Sequence, residues 1–379
     1  MKKFALTLAL LLTGITLSAC GSTDGLSNST NNKSSKGTTQ LTGQTNNKYY
    51  QGVIKNGHYQ TSKSSGVTSQ QTSNEYNTKS FQNGLIDISK KEFSTKKYAL
   101  QEGQYLSTAT VESWLGRKSK SNPKGLNPKS NGSTTPNGRN PLYLSQITEQ
   151  DFMTQNNKKL KLSGVTIGLA INSVDYYKKE QYGATFETDI SNATVKAEGK
   201  KIANEVLARL RKKAAFKDVP IVIALYKQAP NDSLVGGNFF SYSVNNGKAT
   251  SVDKWNAIDQ KNYVFPILAG KSSPNSNDVD AFNNFKSQVE NFFPNLSGIT
   301  AQVQYTNGSL SGMNVNINTQ FYSQTEITSF TQYIQEAAQK YLPANTPIDI
   351  TIKSTDEMQS FLSRNANEKK FNMHIFNSY

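Results

Sequence analysis

The sequence predicts an α+β fold built from two tandem lobes, each with the element order strand, strand, helix, strand and with mixed sheets. A motif of leucine, serine, glycine and an aliphatic residue occurs twice, at residues 162–165 and 296–299. The same order of strand-like and helix-like patterns follows each copy. The chain has 379 residues, of which 35% are hydrophobic, so it is long enough to bury one large core or two modest ones.

The elements of the first lobe follow the first copy of the motif. Apolar residues alternate over 165–171 and again over 184–190, which is typical of strands with one buried face. Aliphatic residues at four-residue intervals over 202–210 form the stripe of an amphipathic helix. A proline-led apolar run at 220–225 predicts the closing strand.

The second lobe repeats this order after the second copy of the motif. Alternating residues predict strands over 299–305 and 313–319. Ser323 and Glu326 have the spacing of a capping box at the start of a helix, and a proline-led strand over 347–352 follows it. Because a hairpin precedes a helical crossover in each lobe, each sheet should contain both parallel and antiparallel neighbours.

Further elements lie between and after the lobes. Asn246-Gly247 is a strong two-residue turn signal, so we predict a hairpin over 239–252 that is inserted from the first lobe. Aromatic residues spaced over 282–293 predict an amphipathic helix that leads into the second lobe. Apolar residues over 358–362 suggest a final helix.

The segment before the lobes has a different composition. Residues 21–79 are mostly Ser, Thr, Asn, Gln, Gly and Lys, which bury too little apolar surface to offset the entropy of ordering. We therefore predict a disordered polar tether over residues 20–80. An N-terminal segment with the first lobe then occupies 81–295, and the second lobe occupies 296–379.

The first 19 residues have the features of an export signal. Lys2 and Lys3 form a basic start, and residues 4–17 are an apolar run too short to span a bilayer as a helix. Leu17, Ser18, Ala19 and Cys20 follow, and this run resembles the lipobox of bacterial lipoproteins.

The lipobox resemblance implies a cut between Ala19 and Cys20 and transfer of a diacylglycerol to the Cys20 thiol, with a further acyl chain on its amino group in some members. The acyl chains would hold the protein on the extracellular face of the cell membrane. Cys20 is the one cysteine of the chain, so no disulfide forms. Beyond the covalent lipid we predict no cofactor.

The charge of the chain limits its partners. The formal net charge is +15, and an exported basic protein is attracted to anionic lipid or anionic envelope polymer. Export and the lack of a nucleic-acid-binding motif argue against nucleic acid. Residues 117–141 contain no acidic residue, and they form either a contact for a polyanion or a solvated loop, of which the second is favoured. The candidate contacts are Arg117, Lys118, Lys120, Lys124, Lys129 and Arg139.

Residues with catalytic chemistry are sparse. His58 and His374 are the two histidines and lie far apart in the sequence, so no metal site is predicted. No nucleophile elbow or phosphate loop is present. Glu187 and Asp189 would share one face of a strand, and paired carboxylates can hydrolyse sugar polymers. A hydrolase of wall polymer is therefore the alternative to a binding protein, and binding is favoured.

Three segments resemble the CamS family of Gram-positive lipoproteins, which are sex pheromone precursors: residues 101–106, 111–117 and 125–128. In that family the cut signal peptide yields a short apolar peptide, which plasmid-bearing enterococci sense as a cue to conjugate. The resemblance places that peptide within residues 13–19, where two threonines and a glycine replace bulky apolar positions. It implies a surface lipoprotein whose body has no assigned activity, and we expect that body to bind an envelope polymer or surface protein.

Overall fold

The computed structural model describes residues 39–69, 74–157, 159–268, 270, 274–293, 298–355 and 357–377. The predicted signal peptide and Cys20 lie outside these residues. Among the described residues the strands form one large mixed sheet, one six-stranded mixed sheet and one two-stranded hairpin. None of the described helices combines the length and the apolar character that a membrane-spanning helix requires.

The large sheet has the strand order β1-β2-β4-β5-β6-β9-β10-β11, with β3 paired to β2. Its strands are β1 (Thr39–Leu41), β2 (Gln51–Lys55), β3 (His58–Tyr59), β4 (Ala99–Glu102), β5 (Leu144–Asn156), β6 (Lys159–Ile171), β9 (Ile221–Lys227), β10 (Asn238–Asn245) and β11 (Asn256–Ala257). The separate hairpin is β7 (Val174–Lys178) with β8 (Thr185–Asp189), and the helices of this region are α1 (Glu75–Ser89), α2 (Thr108–Leu115) and α3 (Asn192–Arg211).

Helices cover both faces of this sheet. The aliphatic residues of β6 that alternate from Val165 pack with α2 and α3 in one core. On the opposite face, Phe81 and Leu85 of α1 pack against β6, β9 and β10. Gly168 lies beneath α1, where a methyl group would come within 2.7 Å of the Phe81 ring. A glycine at this point of β6 therefore lets α1 approach the sheet closely.

The six-stranded sheet has the order β12-β13-β14-β15-β16-β17. Its elements are β12 (Gln260–Phe265), α4 (Ser276–Phe292), β13 (Gly298–Thr306), β14 (Ser309–Thr319), α5 (Gln324–Tyr341), β15 (Ile348–Ser354), β16 (Glu357–Arg364) and β17 (Asn372–Ile375). Apolar residues of α4 and α5 form one core with the strands. Ser323 and Glu326 form the predicted capping box at the start of α5.

The α+β class with mixed sheets is confirmed, but the predicted repeat is not. The run at 184–190, predicted as the second strand of the first lobe, contains β8, which pairs with β7 outside the large sheet. The parallel neighbour of β9 is β6, whereas the parallel neighbour of β15 is β14 and not β13, the strand that follows the second motif. The strand that carries the first motif, β6, thus has a different position in its sheet from β13, the strand that follows the second motif. Short alternating runs do not show which strands pair, because pairing depends on distant residues.

The predicted tether of residues 20–80 is wrong for residues 39–69 and for the start of α1. Three short strands form within it, and Val53 of β2 is buried in the main core. β2 pairs in parallel with β4, about 50 residues further along the chain. Contacts with distant residues therefore order a segment whose own composition is too polar to predict a fold.

Two other elements and one domain boundary differ from the prediction. The arm at 248–252 is not a strand, and β10 pairs with β9 and β11 within the large sheet rather than in an inserted hairpin. The run at 358–362 lies in β16 instead of a helix, since it alternates between buried and partly exposed positions. The six-stranded sheet begins at β12, so the predicted boundary at residue 295 cuts through it.

Candidate functional site

An open groove of about 340 Å³ lies beside β2, at the point where the strand paired to one of its edges changes from β4 to β3. β2 pairs with β4 at Gln51 and Gly52, and with β3 from Ile54 onward. The gap between β3 and β4 forms the groove, and the C-terminal end of α1 contributes to its wall. Three tyrosines line it, which are Tyr49, Tyr50 and Tyr59.

The turn between β2 and β3 places Tyr59 over the groove. Asn56 and Gly57 both have positive φ, which is the backbone conformation of a tight two-residue hairpin turn. The Tyr59 ring then lies above Gly52, where an added methyl group would be 3.2 Å from its Cε1 atom. The ring remains 68% exposed, so it is available to a ligand.

Tyr50 and Tyr49 differ in their surroundings. Tyr50 donates its hydroxyl to the Phe93 carbonyl and packs against the Phe152 ring, and burial raises the pKa of its phenol. Tyr49 is 67% exposed. Tyr50 is thus a fixed part of the wall, whereas Tyr49 and Tyr59 present their rings to solvent.

The groove carries little net charge. Lys90 and Glu102 are the charged residues that line it, and their charges are opposite. Lys90 Nζ lies 3.0 Å from Asp87 Oδ1, and Glu102 Oε2 accepts a 2.7 Å hydrogen bond from the Ser62 backbone. The remaining polar side chains are the amides of Gln51, Gln60 and Gln101. Aromatic rings with a few amides suit a neutral ligand that offers both apolar faces and hydroxyl groups.

A buried acidic pair lies on β5 and was missed in the sequence. Glu149 and Asp151 are 1% and 0% exposed. Glu149 accepts hydrogen bonds from the backbones of Tyr105 and Leu106, and Asp151 accepts one from Gln104. Burial, and then the neighbouring Glu149, raise the pKa of Asp151 to about 9. The sequence signal that could have revealed this pair is the spacing of Glu149 and Asp151, which are separated by one residue in a strand that also contains Ile147, Phe152 and Met153.

This pair stabilises a turn and has no opening to solvent. Its hydrogen bonds hold residues 103–106, between β4 and α2, against β5. A methyl group at Gly103 would lie 2.5 Å from Glu149 Cβ, so the turn can approach β5 only with a glycine there. A carboxyl pair so enclosed cannot reach a polymer substrate.

Glu187 and Asp189, the candidate pair for hydrolysis, lie on the exposed positions of β8. Their strand belongs to the two-stranded hairpin, and neither residue lines the groove. His58 and His374 are exposed on β3 and β17. Among the described residues no three His, Cys, Asp or Glu side chains are placed to hold a metal ion.

The basic loop is folded over the β7–β8 hairpin. Arg139 lies 2.7 Å from the buried carboxylate of Asp175, and its guanidinium stacks on the Tyr177 ring at 3.8 Å. Arg117 donates to the carbonyls of Pro128 and Asn140, and partial burial lowers its pKa. The other four candidate contacts are exposed and leave their charges in solvent: Lys118, Lys120, Lys124 and Lys129.

The segments that carried the family resemblance meet in space. Asn127 donates to the carbonyls of Leu115 and Leu144 at 2.7 and 2.9 Å. Its Oδ1 atom accepts from the backbones of Tyr143 and Leu144 at 2.7 and 2.8 Å. The side chain therefore joins the end of α2 to the start of β5, which explains the residue type in structural terms.

The fold and the groove define an α+β protein with two mixed sheets and an open aromatic surface. A family model described as CamS sex pheromone cAM373 precursor matches residues 59–370. A crystal structure of a sex pheromone precursor from Lactobacillus salivarius subsp. salivarius UCC118 is 53% identical, with a TM-score of 0.86 over 90% of this chain and 100% of that chain. The chain therefore belongs to the CamS sex pheromone cAM373 precursor family.

A second solved structure is similar at greater distance. The C-terminal domain of the sex pheromone staph-cAM373 precursor from Staphylococcus aureus is 32% identical, with a TM-score of 0.69 over 81% of this chain and 98% of that chain. No curated protein matches the chain. The family and the fold thus agree with the resemblance seen in the sequence.

Proposed function

We propose that the protein is a lipid-anchored lipoprotein of the outer cell surface whose folded body binds a component of the cell envelope. The proposal of an anchor rests on the run Leu17-Ser18-Ala19-Cys20, which directly follows a short apolar segment with a basic start. Two or three acyl chains on Cys20 suffice for stable membrane attachment, because each buried methylene contributes about 0.8 kcal/mol.

The proposed signal peptide is also the proposed source of a signalling peptide. Solved relatives are described as sex pheromone precursors, and the equivalent peptide of this chain would lie within residues 13–19. Cleavage before Cys20 would release its C-terminal end at Ala19. The body then remains on the membrane after the peptide has left.

Binding, rather than hydrolysis, is the proposed task of the body. Tyr49 and Tyr59 are accessible in the groove, and hydrogen bonds hold its walls, as a preformed binding site requires. The strand carboxylates Glu187 and Asp189 lie at exposed positions, and the buried pair on β5 is enclosed. No observation favours the hydrolase.

Replacement of Cys20 by serine tests the anchor. We expect the wild-type chain in the membrane fraction and the Cys20→Ser chain in the soluble fraction or the medium, because serine cannot form the thioether. Ser22→Ala, two residues further on, is the matched control and should stay with the membrane. A Cys20→Ser chain that is still cleaved after Ala19 and still partitions with the membrane would refute the anchor.

A further inference from the structure

The groove lined by Tyr49, Tyr50 and Tyr59 presents aromatic rings to solvent. Its most exposed side chains, those of Tyr49 and Tyr59, are 67% and 68% exposed. Large aromatic side chains stabilise a fold most when they are buried, so these two contribute little to stability. Both line the same open groove of about 340 Å³. Exposed tyrosines gathered in one groove are more typical of a binding surface than of a core.

The backbone around the groove argues against an added peptide strand. β1 pairs with one edge of β2 over Val53–Lys55, while β4 and β3 share the other edge. β4 is paired along its whole length with β5. The neighbouring strands therefore have few main-chain groups to offer, and recognition by strand addition needs a free edge.

The charge of the groove argues against a polyanion. The chain as a whole carries a formal charge of +15, yet the groove lining holds one lysine and one glutamate. Each of these already has a partner, in Asp87 and in the Ser62 backbone. A neutral ligand matches this surface, since a polyanion would gain little from it.

The short segment between Cys20 and β1 limits how far the groove can lie from the proposed lipid anchor. β1, which pairs with the groove strand β2, starts at Thr39, and 18 residues lie between it and the proposed lipid on Cys20. A fully extended chain of that length spans at most about 65 Å. With the proposed anchor, the start of β1 would therefore lie within about 65 Å of the outer face of the membrane, where it can reach polymers of the envelope.

We propose that this groove binds a neutral oligosaccharide of the envelope, with pyranose rings stacked on Tyr49 and Tyr59 and hydroxyl groups bonded by the neighbouring glutamine amides. The faces of aromatic rings are electron-rich and attract the polarised C–H groups of a sugar face. This assignment rests on the proposed binding role of the body, and it names the chemical class of the partner.

The test uses the mature chain, residues 20–379, with Cys20→Ser so that lipid does not contribute. The probes are the β-1,4-linked tetrasaccharides of N-acetylglucosamine and of glucose, measured by ligand-observed NMR and calorimetry. We expect binding of at least one of them that is little changed between 0.1 and 0.5 M salt, because screening acts on charges. Tyr49→Ala with Tyr59→Ala should weaken it about tenfold or more.

Two controls separate stacking from folding. Tyr182→Ala removes a tyrosine that is 89% exposed and does not line the groove, and this variant should bind as the wild type does. Tyr59→Phe keeps the ring and should retain most of the affinity. Melting curves of all variants should coincide with that of the wild type, because substitutions at exposed positions change stability little.

Several results would overturn the assignment. These are no binding of either sugar at millimolar concentration, binding that survives the double tyrosine replacement, or competition by polyphosphate. Cross-linking of the lipidated chain on intact cells separates this failure from that of the binding role. Cross-links that need both tyrosines without sugar binding refute only the oligosaccharide, whereas a body that cross-links to nothing refutes both proposals.

Discussion

At Asp151, burial keeps a carboxyl group protonated at neutral pH. Its pKa in the folded protein is raised to about 9, mainly by burial and then by Glu149. In the unfolded chain the pKa of aspartate is about 3.9. The folded state therefore binds the proton more tightly, so the contribution of Asp151 to the free energy of unfolding is greatest below about pH 4 and decreases as the pH rises toward 9.

Asp151→Asn should remove much of this dependence, because asparagine resembles the neutral acid and can still accept from the Gln104 backbone. The stability of the variant relative to the wild type should increase from pH 4 to pH 8, by on the order of 1 kcal/mol for each pH unit. Thermal melts across this range measure the difference. Glu187→Gln, at an exposed position of β8, is the control and should follow the wild-type profile. Parallel melting profiles for Asp151→Asn and wild type would show that Asp151 is ionised in the fold.

Among the elements, those with local signals were predicted well. α5 has its capping box and apolar stripe in one stretch, and β14 and β15 alternate clearly. β1 to β3 and the pairing of β8 were not predicted, because each depends on residues far along the chain. The groove was missed for the same reason, since its tyrosines lie in the stretch predicted as tether while its other wall comes from α1 and β4.

The stability of the fold should depend strongly on Asn127, which connects α2, the basic loop and β5. Its four hydrogen bonds satisfy backbone groups of Leu115, Tyr143 and Leu144. Asn127→Ala leaves these buried groups without that partner, at about 1–3 kcal/mol for each unsatisfied group. Three of the four bonds are buried, so we expect a loss of at least about 3 kcal/mol in urea unfolding. Asn131→Ala, at an exposed position of the same loop, should cost less than about 0.5 kcal/mol, and equal losses at both sites would contradict the role of Asn127.

On the scale of the whole molecule, the two large sheets are joined by side chains of the second one. Asn262 of β12 donates to the carbonyls of Gly236 and Gly237, and Gln302 of β13 donates to the carbonyl of Leu234. The loop before β10 therefore connects the sheets. The family match over residues 59–370 includes strands of both sheets, from β4 to β16, so it is not limited to one of them.

The central claim also concerns the whole molecule: we propose that a folded body with an aromatic groove is tied to the membrane through Cys20. Intact-mass spectrometry of the protein extracted from membranes tests this most directly. The account predicts a chain that begins at Cys20 and carries the added mass of a diacylglycerol thioether on that residue. A mature chain that starts at another residue, or an unmodified Cys20 in the membrane fraction, would contradict it.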